Sequence, residues 1–205
     1  MKIQNDQKKH TLPKILSREA AFRILSRLKT DDPIGLRNRV ALQLCYRAGL
    51  RISEVCNLSL ADVDLREGYA YVQQGKGKKD RVVPLDKETA ELCQRWLAIR
   101  PEGSTDYFIT TLAGGKVSDR YLREVCYRLS RITGIYITDN HRKKPVHPHI
   151  LRHSFATERL EDGFTLPEVQ ALLGHSDIST TSVYLHVRPT VLREKMQSLV
   201  PVGGA

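Results

Sequence analysis

The chain has 205 residues, 40% hydrophobic and 27% charged, enough for one sizeable domain or two small ones. This mix excludes a wholly disordered polymer, and no uncharged apolar run approaches the ~18 residues that a membrane span needs. Thirty-three Lys and Arg against 23 Asp and Glu leave a net charge of +10, which favours a polyanionic partner, either nucleic acid or an anionic membrane surface.

The N-terminus, MKIQNDQKKH, is polar and lacks the apolar stretch of a signal peptide. Residues 1–11 read as a tail or linker remnant, and no repeat or Pro/Gly/Ser-rich stretch divides residues 12–205. Ser17 caps a predicted helix that runs to about Leu28. Leu36, Val40 and Leu44, beside Ala41, Cys45 and Ala48, mark one buried helical stripe that ends at Gly49. A short helix follows from Ile52 to about Leu58. Residues 62–85 change character: YAYVQQ and RVVPL read as two strands around the Gly/Lys-rich turn GKGKKD.

Asp86 caps the next helix, whose apolar face pairs Leu92 with Trp96 and Cys93 with Leu97; Pro101 stops it. Ser118 caps another, with Leu122, Val125, Cys126 and Leu129 inward and Gly134 after it. Pro148 suits the first turn of a helix that ends before Gly163. Thr165 and Glu168 form a capping box, with Phe164 and Val169 placed as a staple, and Gly174 closes that helix. Further helices are expected from about Ile178 to His186 and over Val191–Leu199, the last with Leu192, Met196 and Leu199 on one side. The fold class is mainly α (α+β), with one small antiparallel sheet. Cys45, Cys56, Cys93 and Cys126 are scattered with no CxxC pair, which argues against a disulfide scaffold or zinc ribbon and for a reducing cytoplasm.

Several residues are candidates for chemistry, and each has a plainer reading beside it. His149 and Arg152 lie three apart on one helix face, an imidazole and a guanidinium fork suited to a phosphate, or simply a solvated basic helix end. His149 and His153, near His147, have an HxxxH spacing, but no Glu follows the first His and no Cys or carboxylate ligand lies nearby, so no metal is assigned. His175 follows Gly174 at a helix exit, and Tyr184 lies in STTSVYLHV, where a lone Tyr is usually core. Arg51 precedes Glu54 by three, as a surface pair or as an arginine held for a phosphate. Lys76 sits in the slim GKGKKDR turn; Lys78, Lys79 and Arg81 read as a solvated hairpin that touches DNA backbone without specificity. Arg142, Lys143 and Lys144 form a second basic run of the same kind.

GLRISE at 49–54, QGKGKKDRVVPL at 74–85, HPHILRHSFAT at 147–157, LLGH at 172–175 and TTSVYLHV at 180–187 stand in one order and spacing. Together they resemble the tyrosine recombinase (phage integrase) family, especially its Xer-like members, from about Leu12 to the C-terminus. The resemblance implies the helical catalytic domain of DNA breaking-rejoining enzymes. In it Arg51 is the first catalytic arginine, Glu54 the acidic residue after it and Lys76 the sheet lysine. His149 and Arg152 are the H-x-x-R pair, His175 the His/Trp position and Tyr184 the nucleophile. It implies site-specific recombination of double-stranded DNA without metal, ATP or other cofactor. A synaptic tetramer of like or unlike protomers, monomeric when free, is expected in the cytoplasm on the nucleoid, with no membrane. The family usually carries a helical core-binding domain first; here about eleven residues precede the catalytic region, as in a natively short protein or an excised fragment. A non-cleaving DNA-binding accessory and a type IB topoisomerase-like relaxing enzyme are the alternatives. The last stretch, Val191–Leu199, is expected either to dock on a neighbouring protomer or to pack on its own domain.

Overall fold

A computed structural model describes residues 15–73, 80–103, 105–139, 142–174 and 189–199. Its centre is helix α2 (Pro33–Arg47), which lies against α4 (Lys87–Ile99) and α6 (Pro148–Glu161). The expected apolar stripe of α2 is buried, but so is every other residue from Gly35 to Arg47, including Arg37, Asn38, Gln43 and Arg47. A buried guanidinium needs a counter-charge. Arg47 finds it in Asp86, at 2.8 Å, and Asp86 also caps α4 by accepting the Thr89 N–H. One carboxylate thus starts a helix and neutralises the core of its neighbour.

Local capping chemistry sets the other helix starts. Ser17 caps α1 (Arg18–Leu25), which ends one turn short of Leu28. Ser118 caps α5 (Asp119–Thr133), and Thr165 with Glu168 forms the capping box of α7 (Leu166–Leu173), with Phe164 and Val169 both buried. Helix α3 (Ile52–Asn57) is one short segment. The segment before α1 is tied to α6, because the Leu16 N–H donates to Ser154 Oγ at 2.8 Å.

The expected hairpin gains a short third strand. After a 3-10 turn at Leu60–Asp62, β1 (Val63–Asp64), β2 (Tyr69–Val72) and β3 (Arg81–Pro84) form an antiparallel meander. Val63 faces Ala70, and Val72 faces Arg81. A second sheet corrects the expectation of one: β4 (Tyr136–Asp139) pairs with β5 (Arg142–Pro145). Ser130 Oγ closes its base, donating to the Ile135 carbonyl and accepting the Val146 N–H. Leu97 is another correction. It is 43% exposed, because α4 buries Leu92, Cys93 and Trp96 and turns Leu97 outward.

Helix α8 (Pro189–Gln197) packs on β3 of its own chain, with Leu192 and Met196 buried. Lys195 fixes it to Glu168 of α7, at 2.8 and 2.9 Å. The helix expected over 178–186 lies outside the described residues. The four cysteines are buried and free. Among the described residues no helix is long and apolar enough to cross a membrane.

Candidate active site

The site begins where α2 hands over to α3. Gly49 has φ +68°, a left-handed turn that an L side chain resists. A Cβ there would also lie 2.6 Å from the buried Phe155 ring. Gly49→Ala should therefore cost about 2–5 kcal/mol, the sum of the left-handed penalty and core overpacking. Urea unfolding measures this; a loss below ~1 kcal/mol would mean that the turn relaxes without strain.

The turn places Arg51 at the start of α3. Glu54, one helical turn on, reaches back: its carboxylate accepts the Arg51 backbone N–H and the Arg51 guanidinium, both at 2.7 Å. Arg152 comes from α6, which packs across α2. Its guanidinium donates to the Gly49 carbonyl and, at 2.6 Å, to the Leu173 carbonyl at the end of α7. It also stands 3.7 Å from Glu54 Oε2. Arg51 and Arg152, distant in sequence, therefore converge on one carboxylate.

Arg81 departs from expectation. It is not part of a solvated hairpin: its side chain is only 7% exposed. It grips Glu54 with both arms, at 3.0 and 2.7 Å, and its Nε donates to the Leu172 carbonyl at 2.8 Å. Val72 pairs it in register, and its inward direction from β3 meets α3 and α7. A basic residue next to a basic turn reads as solvated unless its distant acid is known.

The electrostatics follow from this geometry. Burial pushes the Glu54 carboxyl up, but hydrogen bonds and charge from Arg81 and then Arg51 outweigh it and bring it down to about 2. Burial, and next the Arg51 charge, lower Arg152 to about 10, so it is still a cation at neutral pH. Three guanidinium charges against one carboxylate leave a formal excess of two positive charges. His149, in the first turn of α6, is exposed. Partial burial, then Arg123, Arg152 and Arg51, hold it below the ordinary imidazole range, so it is neutral at pH 7 and able to accept a proton.

Arg142, Lys143 and Lys144 are exposed on β5. His147 and His149 approach edge to face with ring centres 6.0 Å apart. Among the described residues no three His, Cys, Asp or Glu side chains gather as a metal site. Lys76, Lys78, Lys79, His175 and Tyr184 lie outside the described residues. Gly49 is thus more than a helix stop, and the Leu172 and Leu173 carbonyls are anchors that no sequence pattern reveals, since backbone acceptors carry no residue signature.

The phage integrase family model matches residues 14–190. The chain is similar to tyrosine recombinase XerD of Listeria innocua, 33% identical over 98% of this chain and 67% of that one. It is likewise similar to tyrosine recombinase XerA of Thermococcus kodakarensis, 40% identical over 91% and 63%. A crystal structure of XerH site-specific recombinase bound to difH substrate, in a pre-cleavage complex, superposes with TM-score 0.67 at 27% identity over 87% of this chain and 51% of that one. The chain thus spans between half and two thirds of the length of these proteins.

Proposed function

The chain belongs to the phage integrase family, and we propose that it breaks and rejoins double-stranded DNA as a site-specific tyrosine recombinase, with residues 12–205 as the catalytic domain. The observation that carries this reading is the convergence of Arg51 and Arg152 on Glu54. A scissile phosphate carries negative charge on its non-bridging oxygens, and that charge grows in the pentavalent transition state. Preorganised donors aimed at such charge supply much of the stabilisation in acyl and phosphoryl transfer. The excess of two positive charges fits one phosphate.

In this reading the Tyr184 oxygen attacks phosphorus, and the bond to the 5′ oxygen breaks. The phenol proton passes to His149. Lys76 protonates the departing 5′ oxygen, and His175 donates a hydrogen bond to the phosphate. The product is a 3′-phosphotyrosyl linkage that conserves the phosphodiester energy. A second 5′ hydroxyl reverses the step and joins new strands. Lys78, Lys79, Arg142, Lys143 and Lys144 track the DNA backbone. The protein acts in the cytoplasm on the nucleoid, as a tetramer of like or unlike protomers on DNA and as a monomer when free.

A nicked suicide substrate tests this directly. The protein should form a covalent adduct with the 3′ end, and the yield should be unchanged in EDTA, since guanidinium groups neutralise the phosphate. Denaturing gels report both. Absence of any adduct, or one that needs added Mg²⁺, would refute the reading.

A further inference from the structure

Glu54 presents a problem for the phosphate site. A buried carboxylate between Arg51 and Arg152 competes with the substrate for both guanidinium groups, because each is drawn to the nearest negative charge. Left alone, it would also cancel half of their charge. Arg81 weakens that competition. Its fork takes both carboxylate oxygens side by side, the strongest arrangement available to the pair. Its third donor binds the Leu172 carbonyl, and the next carbonyl along, Leu173, holds Arg152. Arg81 is thus bonded at once to the counter-ion of Arg51 and to the helix end that anchors Arg152. All three of its nitrogens donate to protein acceptors, so it is committed to Glu54 and Leu172 rather than to DNA.

We infer that Arg81 is a positioning residue of the phosphate site: it neutralises Glu54 and pins the end of α7, so that Arg51 and Arg152 present two uncompensated charges to the scissile phosphate. This rests on the recombinase reading above. It also gives β3 a role beyond the sheet. The strand that follows the lysine-rich segment carries, at its first residue, the bolt that locks α3 and α7 together.

The test is single-turnover cleavage of the suicide substrate at saturating DNA, with Kd for uncleaved DNA and a thermal melt measured alongside. R81Q should cleave about 100-fold more slowly, with Kd within about threefold of wild type, since misplacing a clamp by an ångström costs on that order. E54Q/R81Q should recover about tenfold over R81Q, because the carboxylate that would draw the arginines inward is gone. A purely structural role predicts no such recovery and a parallel loss of Kd. R81K keeps the charge and the fold but replaces a fork with a point charge, and should slow cleavage about tenfold. It decides the matter if R81Q loses its melting transition. Wild-type rates in R81Q or R81K, or a double variant no faster than R81Q, overturn the inference. No adduct from the wild-type chain is a different failure: it removes the recombinase reading and this inference with it.

Discussion

Tyr184→Phe should bind DNA with the affinity of the wild-type chain and form no covalent adduct, a loss of at least about four orders of magnitude in cleavage. The substitution removes one oxygen and little else, so binding through arginines and lysines is untouched. The phenol is a weak nucleophile when free: with a pKa near ~10, about one molecule in a thousand is phenolate at pH 7. In the proposed reaction, the excess of two positive charges around Glu54 would lower the cost of that anion, and His149 would take the proton. The structure bears on the rival phenols as well. Tyr46 is fully buried and donates to Glu158 at 2.7 Å; burial and then that carboxylate hold its pKa well above the phenol range, so it is no nucleophile. Tyr121 is engaged by Arg37 and Asn38. Tyr71 is 41% exposed and lines a cleft with Glu54. An adduct that survives Tyr184→Phe would transfer the role to another phenol, and peptide mapping should look first at Tyr71.

Capping and glycine placement were legible because their chemistry is local. Ser17, Asp86, Ser118 and the Thr165–Glu168 box each act within one helical turn, and each caps the helix expected of it. The β4–β5 hairpin was not legible. Its segment, YITD and RKKP, has one well-buried apolar side chain, Ile137, so no alternation announces it; a serine on the preceding helix organises its base instead. The burial of the polar residues of α2 was hidden for a related reason. Arg47 reads as a solvent-facing residue until Asp86, far along the chain, is placed 2.8 Å away. Arg81 failed the same way, through a carboxylate on another element. The pair Arg51 and Glu54 was visible at three-residue spacing, but its meeting with Arg152 follows from how α6 crosses α2, which no local pattern encodes.

Arg152→Ala should slow cleavage about 10³-fold or more, with a smaller effect from Arg152→Lys of about 10²-fold. Arg152 does two things at once. Its fork ties the Gly49 carbonyl to the Leu173 carbonyl, which sets the distance between the start of α3 and the end of α7. A guanidinium has five N–H donors and these two bonds use two, so the group still has donors for a phosphate. Alanine loses both functions and strands two carbonyls, so part of its effect is structural. Lysine separates the contributions: it keeps the charge and can satisfy one carbonyl, but a single ammonium cannot hold both carbonyls and the phosphate. At about 10, the pKa of Arg152 is lowered by burial first and by Arg51 next, yet the group is charged throughout the neutral range, so the wild-type rate should not lose this contribution until the pH rises toward 10. Suicide-substrate kinetics across pH 7–9, with melting curves for each variant, decide this. A folded Arg152→Ala chain that cleaves within tenfold of wild type would show that Arg51 alone neutralises the phosphate, and the convergence on Glu54 would then be architecture rather than catalysis.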